Sequence, residues 1–303
     1  VLGMVWAYEE LGWGGYWGWD PVENPACLPW FTASAYVHST MIQERRNMLK
    51  FWNVFLICLT FLLTIFGTFL TRAGIITSVH SFAQSDIGKY FLWFIAFLVA
   101  SSFALIVWRL PQLRARTEIE SVASREAMFV VNNWALLGAM TFIFCATMYP
   151  KLSELWGENT TVGPAFFNRW MAPIGLVIFL LMGLAPLFGW LKTCNVVLRM
   201  AVVFPLGAGL VAGVLHLALG DGFGYPAIVA KDAPFGGFFG TVLQQIASAA
   251  PLITISLIAF NVGVIAQEFY PGVRARRSAG ERRNEPERAL VGLFRLVEKN
   301  RRR

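Results

Sequence analysis

Phe51-Trp52-Asn53-Val54-Phe55-Leu56-Ile57-Cys58-Leu59-Thr60-Phe61-Leu62-Leu63-Thr64-Ile65-Phe66-Gly67-Thr68-Phe69-Leu70-Thr71 holds no charged side chain. Coiled as an α-helix at about 1.5 Å per residue, this run is roughly 30 Å long, the thickness of bilayer hydrocarbon. Outward from it, similar apolar segments recur at Cys27–Gln43, Tyr90–Trp108, Met128–Tyr149, Met171–Leu191, Val196–Leu219 and Thr241–Gln267. Val1–Tyr8 reads as the end of an eighth. Cys27–Gln43 is the shortest, and is helped by an interfacial Trp30. The expected fold is all-α: a polytopic transmembrane helix bundle of about seven spans. A charged content of 14% and a mean hydropathy of +0.57 agree with it.

Charge sets the expected orientation. Place the loop before Cys27 on one side and let the loops alternate. That side then receives Arg72, Lys89, Lys151, Arg169 and Lys231, five of the 25 Lys and Arg. The other twenty fall opposite, eleven of them in the tail from Arg274 to Arg303. The basic side is the cytoplasmic one, so the loop before Cys27 faces outward, into the periplasm of a Gram-negative host. The positive charge flanks apolar spans and calls for no nucleic-acid partner. In the tail, Leu290, Leu293, Phe294 and Val297 fall at helical spacing beside Arg295 and Lys299, as in an amphipathic helix on the membrane surface; a solvated linker is the alternative. The expected organisation is an outward loop at 1–26, a helix bundle at 27–271 and a basic cytoplasmic segment at 272–303. The chain begins at Val1 and is expected to be a piece of a longer protein.

The outward loop carries the functional signal. Trp13-Gly14-Gly15-Tyr16-Trp17-Gly18-Trp19-Asp20-Pro21-Val22-Glu23-Asn24 has neither helical nor strand periodicity. Indoles offer large flat faces with one N–H donor each, and glycine lets the backbone approach a ligand. The arrangement suits a flat, apolar ligand with polar edges. An aromatic belt at the membrane interface is the alternative, but it explains neither the glycines nor Asp20 and Glu23. Asp20-Pro21 has a second reading, as the turn that starts the next helix.

Only three histidines exist: His38, His80 and His216. His38 lies about ten residues into the first span, some 15 Å deep. Ser34 shares its face, with Thr32, Ser39 and Thr40 nearby. An ionisable side chain at that depth is a functional candidate, here an iron ligand; a neutral histidine hydrogen-bonded to a neighbouring helix is the alternative. His80 sits on the same outward side as the Trp-rich loop, eight residues after Arg72. Haem supplies an iron for neutral imidazole, a ring for the tryptophans and carboxylates for an arginine. His80, the loop and Arg72 match those needs, although a helix-end arginine also snorkels. His216 is assigned to structure. The four cysteines form no CxxC or CxxCH, so the chain is not itself a c-type cytochrome.

These residues, with Leu28-Pro29-Trp30, resemble the WWD signature of the haem-handling proteins of cytochrome c assembly. Asp20-Pro21-Val22-Glu23-Asn24 followed by Leu28-Pro29-Trp30 looks most like the CcmF family, the haem lyase subunit of bacterial maturation system I. Further text agrees: Gly67-Thr68-Phe69-Leu70-Thr71-Arg72-Ala73-Gly74, Ser78-Val79-His80-Ser81-Phe82-Ala83, Tyr149-Pro150, Val162-Gly163-Pro164 and Phe166-Phe167-Asn168. The likeness runs from Val1 to Trp190 and is thin beyond Leu191. Tyr16 stands where the family usually has tryptophan.

The resemblance implies an inner-membrane protein that takes haem from a haem chaperone and joins it to the CxxCH cysteines of apocytochrome c, alongside other maturation membrane subunits. Trp13, Tyr16, Trp17, Trp19, Asp20, Glu23 and Arg72 would line the haem site, with His80 as one of two flanking periplasmic histidines. His38 would help ligate a second, b-type haem (haem b) that supports reduction. His38 and His80 would be the metal ligands, and no residue of this chain would be catalytic in the acid–base or nucleophilic sense. The partner ligands are expected before Val1 and after Arg303. The readings that compete are a WWD haem carrier or exporter without ligase activity, a membrane scaffold or transporter with an aromatic belt, and a fused single-chain synthase. The Asn24 and Leu28-Pro29-Trp30 text argues against the last.

Overall fold

A computed structural model of the chain describes residues 2–10, 17–74, 86–115, 119–233 and 236–282. The described residues form helices and no strand. In chain order they are α1 (Leu2–Glu9), α2 (Glu23–Arg46), α3 (Lys50–Ala73), α4 (Ile87–Leu113), α5 (Arg125–Ser153), α6 (Pro164–Leu184), α7 (Asn195–Leu219), α8 (Gly237–Ser248) and α9 (Ala250–Arg282). Six helices are long and apolar enough to cross a membrane: α3, α4, α5 and α6 (each of the last two with the short 3₁₀ turn that follows it), α7, and Ala250–Tyr270 of α9. The all-α polytopic bundle expected from the sequence is the fold found, and the protein is a multi-pass membrane protein.

The chain divides into two compact units, residues 1–119 with 129–174, and 120–128 with 175–303. In the first, α2 and α3 form a hairpin. Asn47 (φ 56°) closes α2 in the left-handed region, its N–H bonded to Gln43 O at 2.8 Å. Asparagine tolerates that conformation; Leu49 (φ 59°), which precedes α3, does not adopt it without strain. Ala35, Ile42 and Leu56 are fully buried. In lipid there is little hydrophobic drive between helices, so close packing and interhelical hydrogen bonds matter more. Asn53 Nδ2 accordingly donates to Gln43 Oε1 at 2.6 Å, and the Thr60 and Thr32 hydroxyls meet at 2.8 Å. Phe69, Leu70 and Ala73 form a buried cluster with Phe91 and Ile95 of α4 and Met148 of α5. No residue of α4 is buried. Its exposed Trp93, Phe97, Phe103 and Trp108 suit a helix facing acyl chains.

The second unit is built on α7 and α9. A Cβ on Gly213 would come within 2.6 Å of Ser256 Oγ, and one on Gly209 within 2.9 Å of Ser256 O. Small residues thus let the two backbones approach. Leu187, Phe260 and Val264 fill the contact. The start of α5 is clipped to the connection after α6. Arg125 Nε donates to Phe188 O at 2.7 Å and its Nη2 to Pro186 O. The buried Glu126 carboxylate accepts the Leu191 N–H.

Two expected spans differ from what is found. Cys27–Gln43 lies within the longer α2, which is not apolar enough to be recognised as a span by composition because Thr32, Ser34, His38, Ser39, Thr40 and Gln43 dilute it; Thr32, Ser39 and Gln43 find partners on neighbouring helices. Thr241–Gln267 is not continuous: it breaks at Ala249 into α8 and α9. Pro251 falls in the first turn of α9, where no N–H is needed, and so suits the new start; prolines within α2, α6 and α7 leave those helices continuous, so proline alone does not dictate the break. The basic tail is helical as far as Arg282. The amphipathic stretch from Leu290 to Lys299 lies outside the described residues.

Candidate functional site

The turn into α2 is held by two carboxylates. Asp20 Oδ2 accepts the Val22 N–H at 2.9 Å, and Glu23 Oε2 reaches back to the Asp20 N–H at 3.3 Å. Pro21 stands in the turn just before α2, where no N–H is needed. The Asp20 carbonyl accepts the Asn24 N–H at 3.0 Å, so helical bonding begins here. Glu23 Oε2 also accepts the Gly18 N–H at 3.0 Å. Both carboxylates proposed from the sequence as ligand-lining groups are therefore engaged with backbone amides at the helix entry.

The same entry fixes Trp19. Its φ is 53°, left-handed for a bulky residue. The surroundings over-determine that conformation: Asn24 Nδ2 donates to Trp19 O at 3.2 Å, and Trp19 Nε1 donates to Asn168 Oδ1 at 2.8 Å. The indole stacks on Phe167 at 5.0 Å and 7°. Phe167 is fully buried and meets Phe142 of α5 edge-on. Trp17 stands perpendicular to Trp19, centroids 5.9 Å apart, and is 39% exposed. Of the two described indoles, Trp19 is anchored and Trp17 offers an open surface.

Lower on α2, His38 is half-buried against α5. Its ring stacks on Phe129 at 5.4 Å and 14°. Nδ1 lies 3.3 Å from Asn133 Oδ1 and 3.2 Å from Asn132 Nδ2. Asn133 Nδ2 donates to Ser39 Oγ at 2.6 Å. Nε2 has no hydrogen-bond partner among the described residues. This donor set fits an axial ligand to haem iron: one ring nitrogen is held by the protein and the other is left for the metal. Towards the other end of α2, Asn24 Nδ2 donates to Thr147 Oγ1 at 3.0 Å. The step from Asn24 to His38 equals the step back from Thr147 to Asn133, as an antiparallel helix pair requires.

Residues 1–77 match the family model described as Cytochrome C assembly protein. The chain is 34% identical over 276 residues to the cytochrome c-type biogenesis protein CcmF of Haemophilus influenzae, covering 90% of this chain and 40% of that protein. It is 37% identical over 192 residues to CcmF of Escherichia coli, covering 63% of this chain and 30% of that one. A solved structure titled Cytochrome c Heme Lyase CcmF superposes with a TM-score of 0.58 at 30% identity, over 97% of this chain and 41% of that one. The chain is similar to CcmF proteins over most of its own length. It spans about two fifths of the length of the CcmF protein of Haemophilus influenzae.

Arg72 is exposed in the last turn of α3, two residues before the left-handed Gly74 (φ 60°). Trp13, Tyr16 and His80 lie outside the described residues. His216 Nε2 donates to Tyr225 O at 3.0 Å and so ties the C-terminal end of α7 to the following loop. Reasoning from the sequence gave no role to Asn132, Asn133, Phe167 or Asn168. The available signal for the first two was an Asn-Asn pair inside an apolar span, where polar side chains are costly unless paired. Among the described residues no cluster of three or more His, Cys, Asp or Glu is arranged to hold a metal.

Proposed function

We propose that this chain is part of a cytochrome c haem lyase of the bacterial inner membrane, with the Trp-rich loop in the periplasm and the basic tail in the cytoplasm. Haem delivered by a haem chaperone would be the substrate at the outward site. Trp17, with Trp13 and Tyr16, would receive its flat face, Arg72 a propionate, and His80 one axial position. Two cysteine thiols of apocytochrome c would add across the two vinyl groups to give thioethers. The nucleophile belongs to the substrate, so the protein's part is binding and orientation. Asp20 and Glu23 would act by holding the loop at the helix entry. A resident haem b, ligated by His38, would supply electrons; the work of this chain there is to present Nε2. Other maturation subunits would complete the assembly.

One observation carries this reading. A single helix bears the Trp-rich loop at its entry and, deeper, an imidazole whose Nδ1 is held between two asparagines while Nε2 is left unbonded. The test is a pair of variants in the full-length protein. His38→Ala is expected to abolish the b-type absorption spectrum of the purified protein. His80→Ala is expected to leave that spectrum and abolish covalent c-type cytochrome formation. A spectrum that survives His38→Ala removes the ligand role, and normal cytochrome yield with His80→Ala removes the outward one. A protein that binds haem but yields no thioether on reconstitution with chaperone and apocytochrome is a carrier instead.

A further inference from the structure

We infer that Asn133, locked by Ser39, is the positioning residue that sets the His38 tautomer and so presents Nε2 as a lone pair. The inference rests on His38 being an axial ligand and goes beyond it, by naming what makes the imidazole competent.

The contacts of Nδ1 contain a contradiction that turning over one asparagine amide resolves. Asn132 Nδ2, at 3.2 Å, bonds to Nδ1 only if that nitrogen carries a lone pair. Asn133 Oδ1, at 3.3 Å, bonds to it only if it carries a hydrogen. Both cannot hold at once. Asn133 is tied at its far end, Nδ2 to Ser39 Oγ at 2.6 Å, with both residues fully buried, and its oxygen faces the ring. The hydroxyl can pair with either end of that amide, so the choice of which asparagine to turn over falls to Asn132. Asn132 has no such anchor: its Oδ1 is buried without a partner. Turning the Asn132 amide over brings that orphaned oxygen to Nδ1–H and removes the donor–donor clash. The hydrogen therefore sits on Nδ1, and the Nε2 lone pair points away from the asparagines. Metal-bound histidines almost always donate their other ring N–H in this way, and the acceptor raises the basicity of the ligand.

An acceptor on Nδ1–H also tunes the iron. A stronger acceptor gives the imidazole more imidazolate character and favours ferric iron; removing the acceptor does the reverse. Asn133→Leu and Asn133→Asp should therefore move the midpoint potential in opposite directions. A residue that merely filled space would not produce that split.

The experiment uses the full-length protein purified in detergent, titrated by its b-type absorption. Asn133→Leu is expected to raise the midpoint potential and to weaken haem retention about 10- to 100-fold, read as transfer to apomyoglobin. Asn133→Asp, which is isosteric and can accept from the Ser39 hydroxyl, is expected to lower the potential and retain haem. Ser39→Ala should shift the potential in the same direction as Asn133→Leu, by less. If Asn133→Leu does not accumulate, the sign of the Asn133→Asp shift decides alone. Potentials that do not move, or that move the same way for both Asn133 variants while His38→Ala abolishes the spectrum, overturn the role of Asn133 and leave the ligand standing. A spectrum that survives His38→Ala overturns both.

Discussion

Trp19 shows how a ligand-like motif can hide an anchor. Read from its neighbours, it is one of several interchangeable indoles among glycines. Its left-handed backbone, its stack on Phe167 and its bond to Asn168 make it the fixed point of the loop, and they leave Trp17 as the exposed ring. Spacing could not show this, because Asn168 is 149 residues away in sequence. The Trp19–Asn168 bond yields a prediction. Trp19→Phe keeps an aromatic ring on Phe167 and loses the donor, while Asn168→Ala loses the acceptor. Each is expected to cost about 0.5–1.5 kcal/mol, the usual net worth of one hydrogen bond. The double variant should cost clearly less than the two single costs added together, because one bond is lost in all three. Thermal melts of the three variants check it; strictly additive shifts would mean that the two side chains do not interact.

At the scale of the element, Asp20-Pro21-Val22-Glu23 was legible in two ways, as charge beside a ligand or as a helix start. The geometry pairs both carboxylates with backbone amides at the helix start. The two uses separate experimentally. Asp20→Ala removes the acceptor for the Val22 N–H and is expected to destabilise the helix entry by about 0.5–2 kcal/mol. Glu23→Gln keeps an oxygen for the Gly18 and Asp20 amides while removing the charge, so cytochrome c yield should stay near wild type. A yield that falls sharply with Glu23→Gln at unchanged thermal stability would assign the charge to the chemistry instead. The elements also show where hydropathy reading fails. The long uncharged runs of α3, α4 and α7 announced themselves. In α8 and α9 the apolar text continues through the break at Ala249, and no local pattern marks it. In α2 the polar residues Thr32, Ser39 and Gln43 dilute the apolar signal, yet each meets a partner on α3 or α5. Which helix supplies that partner is a tertiary fact, and no local pattern carries it.

At the scale of the molecule, the question is whether α2 crosses the membrane. Composition alone recognises six spans and leaves α2 out. The pairing with α5 argues that it crosses. Asn24 meets Thr147 near the start of α2, and Ser39 meets Asn133 well down it, so α2 runs antiparallel to α5 through much of the recognised span Arg125–Trp156. A helix bound along that length to a spanning helix shares its depth. Seven crossings then put the Trp-rich loop on the same side as the α5–α6 connection, consistent with Trp19 bonding to Asn168 at the start of α6. The charge pattern places that side outward. The prediction is a labelling map. In a background with Cys27, Cys58, Cys145 and Cys194 replaced by alanine, single cysteines go at the exposed positions Glu10, Glu44, Arg114, Glu158, Lys192 and Asp221. A membrane-impermeant maleimide applied to intact spheroplasts should label Glu10→Cys, Glu158→Cys and Asp221→Cys. Glu44→Cys, Arg114→Cys and Lys192→Cys should react only after permeabilisation. The decisive pair is Glu10 and Glu44, which flank α2: if both react from one side, α2 does not cross. The imidazole of His38 would then lie outside the hydrocarbon, and an axial ligand for a membrane haem would have to come from elsewhere.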